Sequence, residues 1–179
     1  MGRHLTLWLH CALLLGLLAC ASREQEGAPH AETAAPYSDH DGPAALASLA
    51  EAHHARVDLA LQKGDRKGAK REVAELIATA RQYRSDDDQS QDIVFDAAAR
   101  LAKLHIEDSE FDSAVEVAAA GLEDADQRPP TLFRGYLHQT LAQALEGKGD
   151  PRGAVEEHGR AIEIFKSILK SETSENHKE

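Results

Sequence analysis

The sequence predicts an all-α protein of three stacked antiparallel helical hairpins, and two observations carry that prediction. Over residues 44–170, apolar residues recur at helical spacing, and no window shows the period-two alternation of a half-buried strand. The heptad KGDRKGA at 63–69 also returns as KGDPRGA at 148–154. Helical spacing combined with a repeated connection is typical of hairpins stacked one after another, and it predicts a helical domain over 44–170.

The N-terminal residues 1–19 have the pattern of a secretory signal peptide. Arg3 precedes the uncharged run LTLWLHCALLLGLL at 5–18, and small residues follow it. The run is shorter than the roughly 20 apolar residues that a membrane-spanning helix needs. We therefore expect this segment to direct export and then to be removed.

The last residues of this segment, LLAC at 17–20, resemble the lipobox of bacterial lipoproteins. The resemblance implies cleavage before Cys20 and a diacylglycerol on its sulfur. It also implies anchorage in the bacterial cell envelope, and Ala21 favours the outer membrane, with the protein facing the periplasm. The alternative is an ordinary signal peptide cut near Ala19 or Ala21, which leaves a free cysteine. Because Cys11 lies inside the signal, Cys20 has no disulfide partner within the mature chain, and lipidation accounts for it.

Two polar segments flank the predicted helical domain. Residues 20–43 are rich in small, charged, proline and glycine residues and lack apolar periodicity, which predicts a flexible tether. Residues 171–179, SETSENHKE, are polar throughout and predict a disordered tail.

Six apolar stripes predict the six helices of the domain. In each stripe the residues recur at intervals of three or four, in places as adjacent pairs, so that they share one helix face. Some of the positions on these faces are histidines. In chain order the stripes are Leu46, Leu49, Ala50, His53, Val57, Ala60 and Leu61; Ala69, Val73, Leu76, Ile77 and Ala80; Ile93, Val94, Ala97, Ala98, Leu101, Ala102 and His105; Phe111, Ala114, Val115, Ala118 and Leu122; Leu132, Tyr136, Leu137, Leu141, Ala144 and Leu145; and Ala154, Val155, His158, Ala161, Ile162, Phe165 and Ile168.

The repeated heptad predicts the joint inside a hairpin. Gly64 and Gly149 suit the left-handed residue that ends a helix. Asp65 and Asp150 follow at once, placed to cap the next helix by accepting its free amide hydrogens. Pro151 fits the first helical position, where no amide hydrogen is needed.

A degenerate copy of the heptad, DSEFDSA at 108–114, predicts the middle joint. Ser109 with Asp112 resembles a capping box at the start of the fourth helix, and Pro129-Pro130 is predicted to start the fifth. A small residue closes each copy and is expected to let two helices approach closely. These residues are Ala69, Ala114 and Ala154.

The hairpins resemble tetratricopeptide repeats over about residues 45–168. In the third hairpin, Leu141-Ala142 match the large and small residues of the first helix, Gly149-Asp150 the turn, and Ala161 the late small residue of the second helix. The resemblance implies a right-handed solenoid whose groove is lined by the first helix of each hairpin. Carried over by aligning the turns, it implies a partner-binding groove formed by His54, Asp58, Ala99, Lys103, Gln139 and Gln143.

The net charge of −11 argues against binding to nucleic acid, where phosphate neutralisation supplies much of the affinity. It also argues against electrostatic attraction to anionic lipid. The sequence contains no paired nucleophile and base, no glycine-rich phosphate loop and no metalloprotease helix. We therefore expect neither an enzyme nor a cofactor.

The histidines raise a metal-binding alternative. His30, His40, His53 and His54 lie near two aspartates, and imidazole with carboxylate suits transition metals. No pair has the i, i+4 spacing of a helical two-histidine site, so no metal ligands are predicted. A periplasmic metal-binding helical lipoprotein remains the alternative function. The histidines on apolar stripes are expected to pack half-buried, namely His105, His138 and His158.

Taken together, these features predict a membrane-tethered interaction or assembly scaffold of the bacterial envelope. Its expected partner is an envelope protein or peptide segment held in the groove, and its expected contact with the membrane is the lipid on Cys20. The sequence leaves the oligomeric state and the identity of the partner open.

Overall fold

The all-α prediction is confirmed in a computed structural model, which describes residues 41–83, 88–123, 125 and 128–175. Six α-helices and no strand occur in these residues. Each helix packs against the next along the chain, and α3 also packs against α1 and α5. The helices are α1 (Asp41–Gln62), α2 (Arg66–Gln82), α3 (Asp88–Glu107), α4 (Phe111–Gly121), α5 (Leu132–Lys148) and α6 (Pro151–Glu175).

The two joints made by the repeated heptad form as predicted. Gly64 and Gly149 have positive φ angles of 75° and 87°. Asp65 Oδ1 accepts a hydrogen bond of 2.7 Å from the amide three residues on, and Asp150 Oδ1 accepts the equivalent bond at 3.0 Å. Pro151 is the first residue of α6. Local sequence alone therefore determines where these helices stop and restart.

The middle joint differs from the prediction. Ser109 has a positive φ of 60°, so it occupies the left-handed position that glycine takes in the other two joints. The amide of Glu110 bonds back to the carbonyl of His105 at 2.8 Å, and α4 begins at Phe111. The capping box predicted for Ser109 and Asp112 is wrong, because Ser109 belongs to the end of α3.

The start of α5 also differs from the prediction. Thr131 caps this helix, with its Oγ1 accepting a hydrogen bond of 3.2 Å from the amide of Arg134. The same hydroxyl donates to Asp92 Oδ1 of α3 at 2.6 Å. Pro129-Pro130 lie before the cap and do not start the helix. A proline disfavours helical conformation in the residue that precedes it, so Arg128 and Pro129 are kept out of the helix.

The helices extend beyond the domain bounds read from the sequence. Pro43 lies in the first turn of α1, where its missing amide hydrogen costs no helical bond. α6 continues through 171–175, which the sequence assigned to the tail. There the Ser171 and Thr173 hydroxyls bond carbonyls of the preceding turn, at 2.7 and 2.9 Å. No glycine or proline interrupts this stretch.

Helix α3 lies at the centre of the apolar core. One buried cluster joins it to α1 and α2 around Val57 and Val73, and a second joins it to α4 and α5 around Ala114 and Leu137. Phe95, the largest fully buried side chain, belongs to the second cluster. Two sides of α3 are therefore in the core, whereas a surface helix buries a single stripe.

Small residues allow the close approach expected of them. Ala69, Ala114 and Ala154 are all buried, with at most 2% of their surface exposed. At the junction of α3, α4 and α5, a Cβ on Gly121 would lie only 2.7 Å from the Cβ of Ala98. The backbone of α4 thus comes so near α3 that glycine is required at this point.

A cluster of charged side chains joins the start of α2 to the end of α3. Lys70 Nζ lies 2.6 Å from Asp108 Oδ2 and 2.6 Å from Glu110 Oε2, and Arg66 Nε lies 2.5 Å from Asp108 Oδ1. The hydrogen bond from Lys70 lowers the pKa of Asp108; Arg66 adds to this effect and partial burial opposes it. The hydrogen bond from Lys70 also lowers the pKa of Glu110, and His105 contributes.

These ion pairs make the free energy of unfolding depend on pH in the acidic range. Because both carboxyls have folded-state pKa values below their unfolded values, their contribution is present above the unfolded values and is lost as pH falls through the folded ones. We expect Asp108→Asn to reduce stability at neutral pH and to flatten its decline toward acid. Urea unfolding at several pH values measures both effects, with the exposed Glu116→Gln as control. An unchanged pH slope in Asp108→Asn would contradict this assignment.

The predicted signal at 1–19, residues 20–40 of the predicted tether, Cys20 and residues 176–179 lie outside the described residues. Among the helices that the structure describes, none is both long enough and apolar enough to cross a membrane.

Candidate binding groove

A depression of about 690 Å³ lies on the face formed by α1, α3 and α5. These are the first helices of the three predicted hairpins. Five of the six predicted groove residues line the depression: His54, Ala99, Lys103, Gln139 and Gln143. The structure thus brings together residues that are far apart in sequence. That they bind a partner stays a prediction.

Asp58, the sixth predicted residue, does not line the depression but contacts a residue that does. Its Oδ1 accepts a hydrogen bond of 2.5 Å from Arg100 Nη2. Arg100 belongs to α3, so the pair joins α1 to α3 at the edge of the groove. Asp58 therefore holds the guanidinium of Arg100 in position, while 59% of the Asp58 side chain is exposed to solvent.

His54 of α1 contacts two charged side chains of α3. Its Nδ1 lies 2.8 Å from Arg100 Nη1, and its Nε2 lies 3.2 Å from Asp96 Oδ2. Because a guanidinium only donates hydrogen bonds, Nδ1 accepts, and the ring proton is on Nε2 facing the carboxylate. The network Asp58–Arg100–His54–Asp96 therefore fixes one wall of the groove and leaves little of its charge unpaired.

The remaining polar groups of the groove are available to a ligand. Lys103, Gln139 and Gln143 are exposed, and within the described part of the chain their side chains make no hydrogen bond or ion pair. One ammonium and two amides thus point outward beside the small side chain of Ala99, which is almost fully buried. Amide side chains both donate and accept, so they match the N–H and C=O groups of a peptide backbone.

Four further lining residues were not among the predicted ones. Each lies one, three or four positions from a predicted residue on the same helix, and so on the same side of that helix. They were missed because the family pattern supplies two residues per helix, whereas the wall of the groove includes more. The sequence predicts Tyr136 on the core stripe of α5, and this placement is wrong, because Tyr136 is 51% exposed. It lies at the rim, with its ring 5.6 Å from that of Phe165 on α6. The four are Asp96, Arg100, Tyr136 and Thr140.

The two histidines of the metal alternative that the structure describes, His53 and His54, contact different partners. His54 lies in the groove network, whereas His53 is buried, with its Nδ1 3.3 Å from Glu72 Oε2. No group of three or more residues that could hold a metal occurs in the described ranges. His30 and His40 lie outside those ranges.

A buried histidine–glutamate pair occurs twice, which sequence reasoning missed. His138 Nδ1 lies 2.7 Å from Glu157 Oε2 between α5 and α6, and both side chains are at least 90% buried. His53 and Glu72 occupy the same positions relative to the first joint, although their atoms are close without the alignment of a hydrogen bond. Aligning the two copies of the heptad would have shown the repeated pair.

The other two histidines on apolar stripes are nearer the surface than His138. His105 Nδ1 lies 2.5 Å from Glu110 Oε2 with 17% of its side chain exposed, and His158 Nε2 lies 3.2 Å from Glu146 Oε1 with 38% exposed. Both therefore contact a surface carboxylate as well as packing against their helices.

No known protein family, curated protein or solved structure matches this chain.

Proposed function

We propose that this protein is a membrane-tethered interaction scaffold of the bacterial envelope that holds a protein or peptide segment in the groove of α1, α3 and α5. The observation that carries the proposal is the depression of about 690 Å³, in which Lys103, Gln139 and Gln143 are exposed. The module acts by binding and not by catalysis. Its proposed role is to assist the assembly of envelope proteins.

The groove follows from a proposed stacking of three antiparallel hairpins into a right-handed tetratricopeptide-like solenoid. The contacts that support it are those of α1 with α3 and of α3 with α5, with α2 and α4 each packed between successive first helices. A solenoid of this kind has a concave surface lined by its first helices, which offers many side chains to an extended ligand.

The size and chemistry of the groove favour one short segment as its ligand. Two glutamine amides can pair with backbone groups of an extended chain or with polar side chains of a helix, while Lys103 adds one unpaired positive charge. The ion pair of Arg100 with Asp58 holds the adjacent wall in place before binding. A preformed wall lowers the ordering cost of association.

A capture experiment tests the groove. Crosslinking in native membranes followed by purification of the full chain should retain a partner, and the double variant Lys103→Glu with Gln139→Ala should reduce its affinity by about tenfold or more. That factor corresponds to losing about one hydrogen bond and one charge contact. Lys67→Glu with Gln82→Ala, both exposed on α2 outside the groove, is the matched control. Equal retention by the groove variant and the control would show the groove assignment to be wrong.

The tether is tested at Cys20. We expect the wild-type chain to fractionate with membranes and to carry acyl chains, and Cys20→Ala to be released into the soluble fraction without them, because stable anchoring needs two hydrocarbon chains. Metabolic labelling with a fatty-acid analogue and membrane fractionation measure both. A Cys20→Ala protein that stays in the membrane fraction contradicts the lipid anchor. That result would not bear on the groove, which the capture experiment tests separately.

A further inference from the structure

The first and the last of the six described helices each expose an apolar face. On α6, Val155, Ile162 and Leu169 are 71%, 52% and 62% exposed and recur every seven residues, so they lie on one side of the helix. On α1, Leu59 is 52% exposed, and Ala52, seven residues earlier, is exposed on the same side. We name these the α6 end face and the α1 end face. The sequence predicts Val155 and Ile162 on the core stripe of α6, and that placement is wrong.

The counterparts of the α1 end face on the other first helices are buried. Counted from the repeated joints, each of its two residues has one equivalent on α3 and one on α5. All four equivalents are at most 4% exposed, in the clusters where α2 packs against α3 and α4 against α5. Among the described helices, α1 packs against α2 and α3, which both follow it, so no earlier helix covers it. The equivalents are Ala97 and Leu137 for Ala52, and Leu104 and Ala144 for Leu59.

The counterpart of Ile162 on α4 is covered by the next helix. This residue is Leu122, which is partly buried and packs against the cluster that contains Leu137 of α5. A Cβ built on the neighbouring Gly121 would lie 2.9 Å from Cδ2 of Leu137. Because Leu137 is the equivalent of Ala52, the contact of α4 with α5 brings together the counterparts of Ile162 and Ala52. On α6 the face is open, since α6 packs closely against α5 alone among the described helices.

One chain therefore carries both halves of a contact that it already makes internally. The α6 end face is the side that α4 presents to α5, and the α1 end face is the side that α5 presents to α4. Repeat arrays ordinarily end in polar faces, because an exposed apolar end reduces solubility. Apolar faces at both ends accordingly indicate an interface.

We propose that a second copy of this chain covers each end face, with α1 of one copy packed on α6 of the next as α5 packs on α4. Ile162 then lies against Ala52, and Val155 lies near Leu59. Each contact leaves one α1 end face and one α6 end face free, so association continues into an open chain of copies. The residues that line the groove are not used, so this proposal does not rest on the proposed function.

Charge along the two faces fits this pairing. Asp112 at the start of α4 lies 2.8 Å from Lys148 at the end of α5, so these two helices run in opposite directions. In the same arrangement, the first half of α6 meets the second half of α1 of the other copy. Exposed acids flank the α6 end face there, and exposed cations lie along α1, so charges of opposite sign face each other. The acids are Glu156 and Glu163, and the cations are Arg56 and Lys63.

Pairing of two identical faces is less favourable. Two α6 end faces centred on Ile162 would bring Glu163 beside its own copy, and two α1 end faces centred between Ala52 and Leu59 would bring Arg56 beside its own copy. In the end-to-end contact the like charges are Arg152 and Lys63. They correspond to Asp112 and Lys148, whose side chains are 86% and 48% exposed, so solvent and salt screen this repulsion.

Cysteine crosslinking of the full chain tests the contact. Ala52→Cys and Ile162→Cys place one thiol on each end face, and both positions are exposed, so neither change disturbs the core. When the two single variants carry different epitope tags and are expressed together, a short bismaleimide should join one chain of each kind. The double variant Ala52→Cys with Ile162→Cys should give a ladder of dimers, trimers and longer products on a denaturing gel, as open association requires.

Matched variants distinguish this contact from random collision. Ala52→Cys with Ala78→Cys moves the second thiol to an exposed alanine of α2 and should give no ladder. The wild type reports any product formed through its own cysteines, Cys11 and Cys20. Adding Val155→Lys to the double variant places a cation near Lys63 of the other copy, and we expect the ladder to weaken by about tenfold, or about 1.4 kcal/mol.

Four results would overturn the proposal. Ile162→Cys alone or Ala52→Cys alone might be joined to its own kind in place of the mixed product, which would show that identical faces pair. The double variant might stop at dimers, or be joined to a different protein without a ladder. It might give no product, or the same ladder as the Ala78→Cys control. The capture experiment on the groove uses other residues, so its result is read separately.

Discussion

Phe95→Ala is expected to lower the free energy of unfolding by about 3–5 kcal/mol, the usual cost of removing a fully buried aromatic ring. Phe95 is 1% exposed and packs in the cluster that joins α3 to α4 and α5. The cavity left by the ring is bordered by helices on several sides, so it collapses only partly. Because an average small domain has 5–15 kcal/mol of stability, this single change brings the protein close to unfolding.

Urea denaturation followed by far-ultraviolet circular dichroism measures the change in Phe95→Ala. Val155→Ala is the control for loss of an apolar side chain without a cavity, since Val155 is 71% exposed, and we expect an effect within about 0.5 kcal/mol. A loss below about 1 kcal/mol in Phe95→Ala would mean that the second cluster is not packed as described.

His138→Leu is expected to cost about 3 kcal/mol, because it leaves the carboxylate of Glu157 buried without its buried partner. The remaining contact of Glu157, at 2.7 Å, is with Arg160, which is largely exposed. The double variant His138→Leu with Glu157→Leu should recover most of the loss, since two apolar residues of similar volume need no hydrogen bond. We expect it within about 1 kcal/mol of the wild type.

The middle hairpin provides an internal precedent for that recovery. Ala98 and Val117 occupy the positions equivalent to His138 and Glu157, and Ala98 is fully buried while Val117 is partly buried against the core. An apolar pair is therefore compatible with this position of a hairpin. Urea unfolding of the two single variants and the double variant gives the coupling energy between the side chains. Additive losses in the double variant would show that the pair is not a unit.

The buried pair was missed from the sequence for a physical reason. Periodicity places His138 on an apolar stripe but does not say what faces it from the next helix. Glu157 lies beside the stripe of α6 in the sequence pattern, and it becomes buried only because α5 and α6 pack together. When the two copies of the heptad are aligned, His53 falls opposite His138 and Glu72 opposite Glu157. This coincidence is the one signal in the sequence that would have indicated the pair.

The groove was predictable in part. The family pattern supplied six residues on three first helices, and five of them line one depression because those helices lie side by side. One of the five, Ala99, is also part of the buried core. It did not supply Arg100 or Asp96, since their importance comes from contacts with His54 and Asp58 on another helix. Such cross-helix partners depend on the rotation of each helix about its axis, which the repeat pattern leaves open.

The sequence by itself determined the helices and most of their ends. The 3.6-residue period, the left-handed glycines Gly64 and Gly149 and the capping residues Asp65 and Asp150 act within one turn of chain, so no distant contact is needed to read them. The tertiary structure alone decided how much of each helix surface is buried beyond the predicted stripe. Phe95 lies off the predicted stripe of α3 and is fully buried because α3 has neighbours on several sides, whereas Ile162 lies on the predicted stripe of α6 and is exposed. Burial depends on the number of neighbouring helices, and a pattern along one helix does not contain that number.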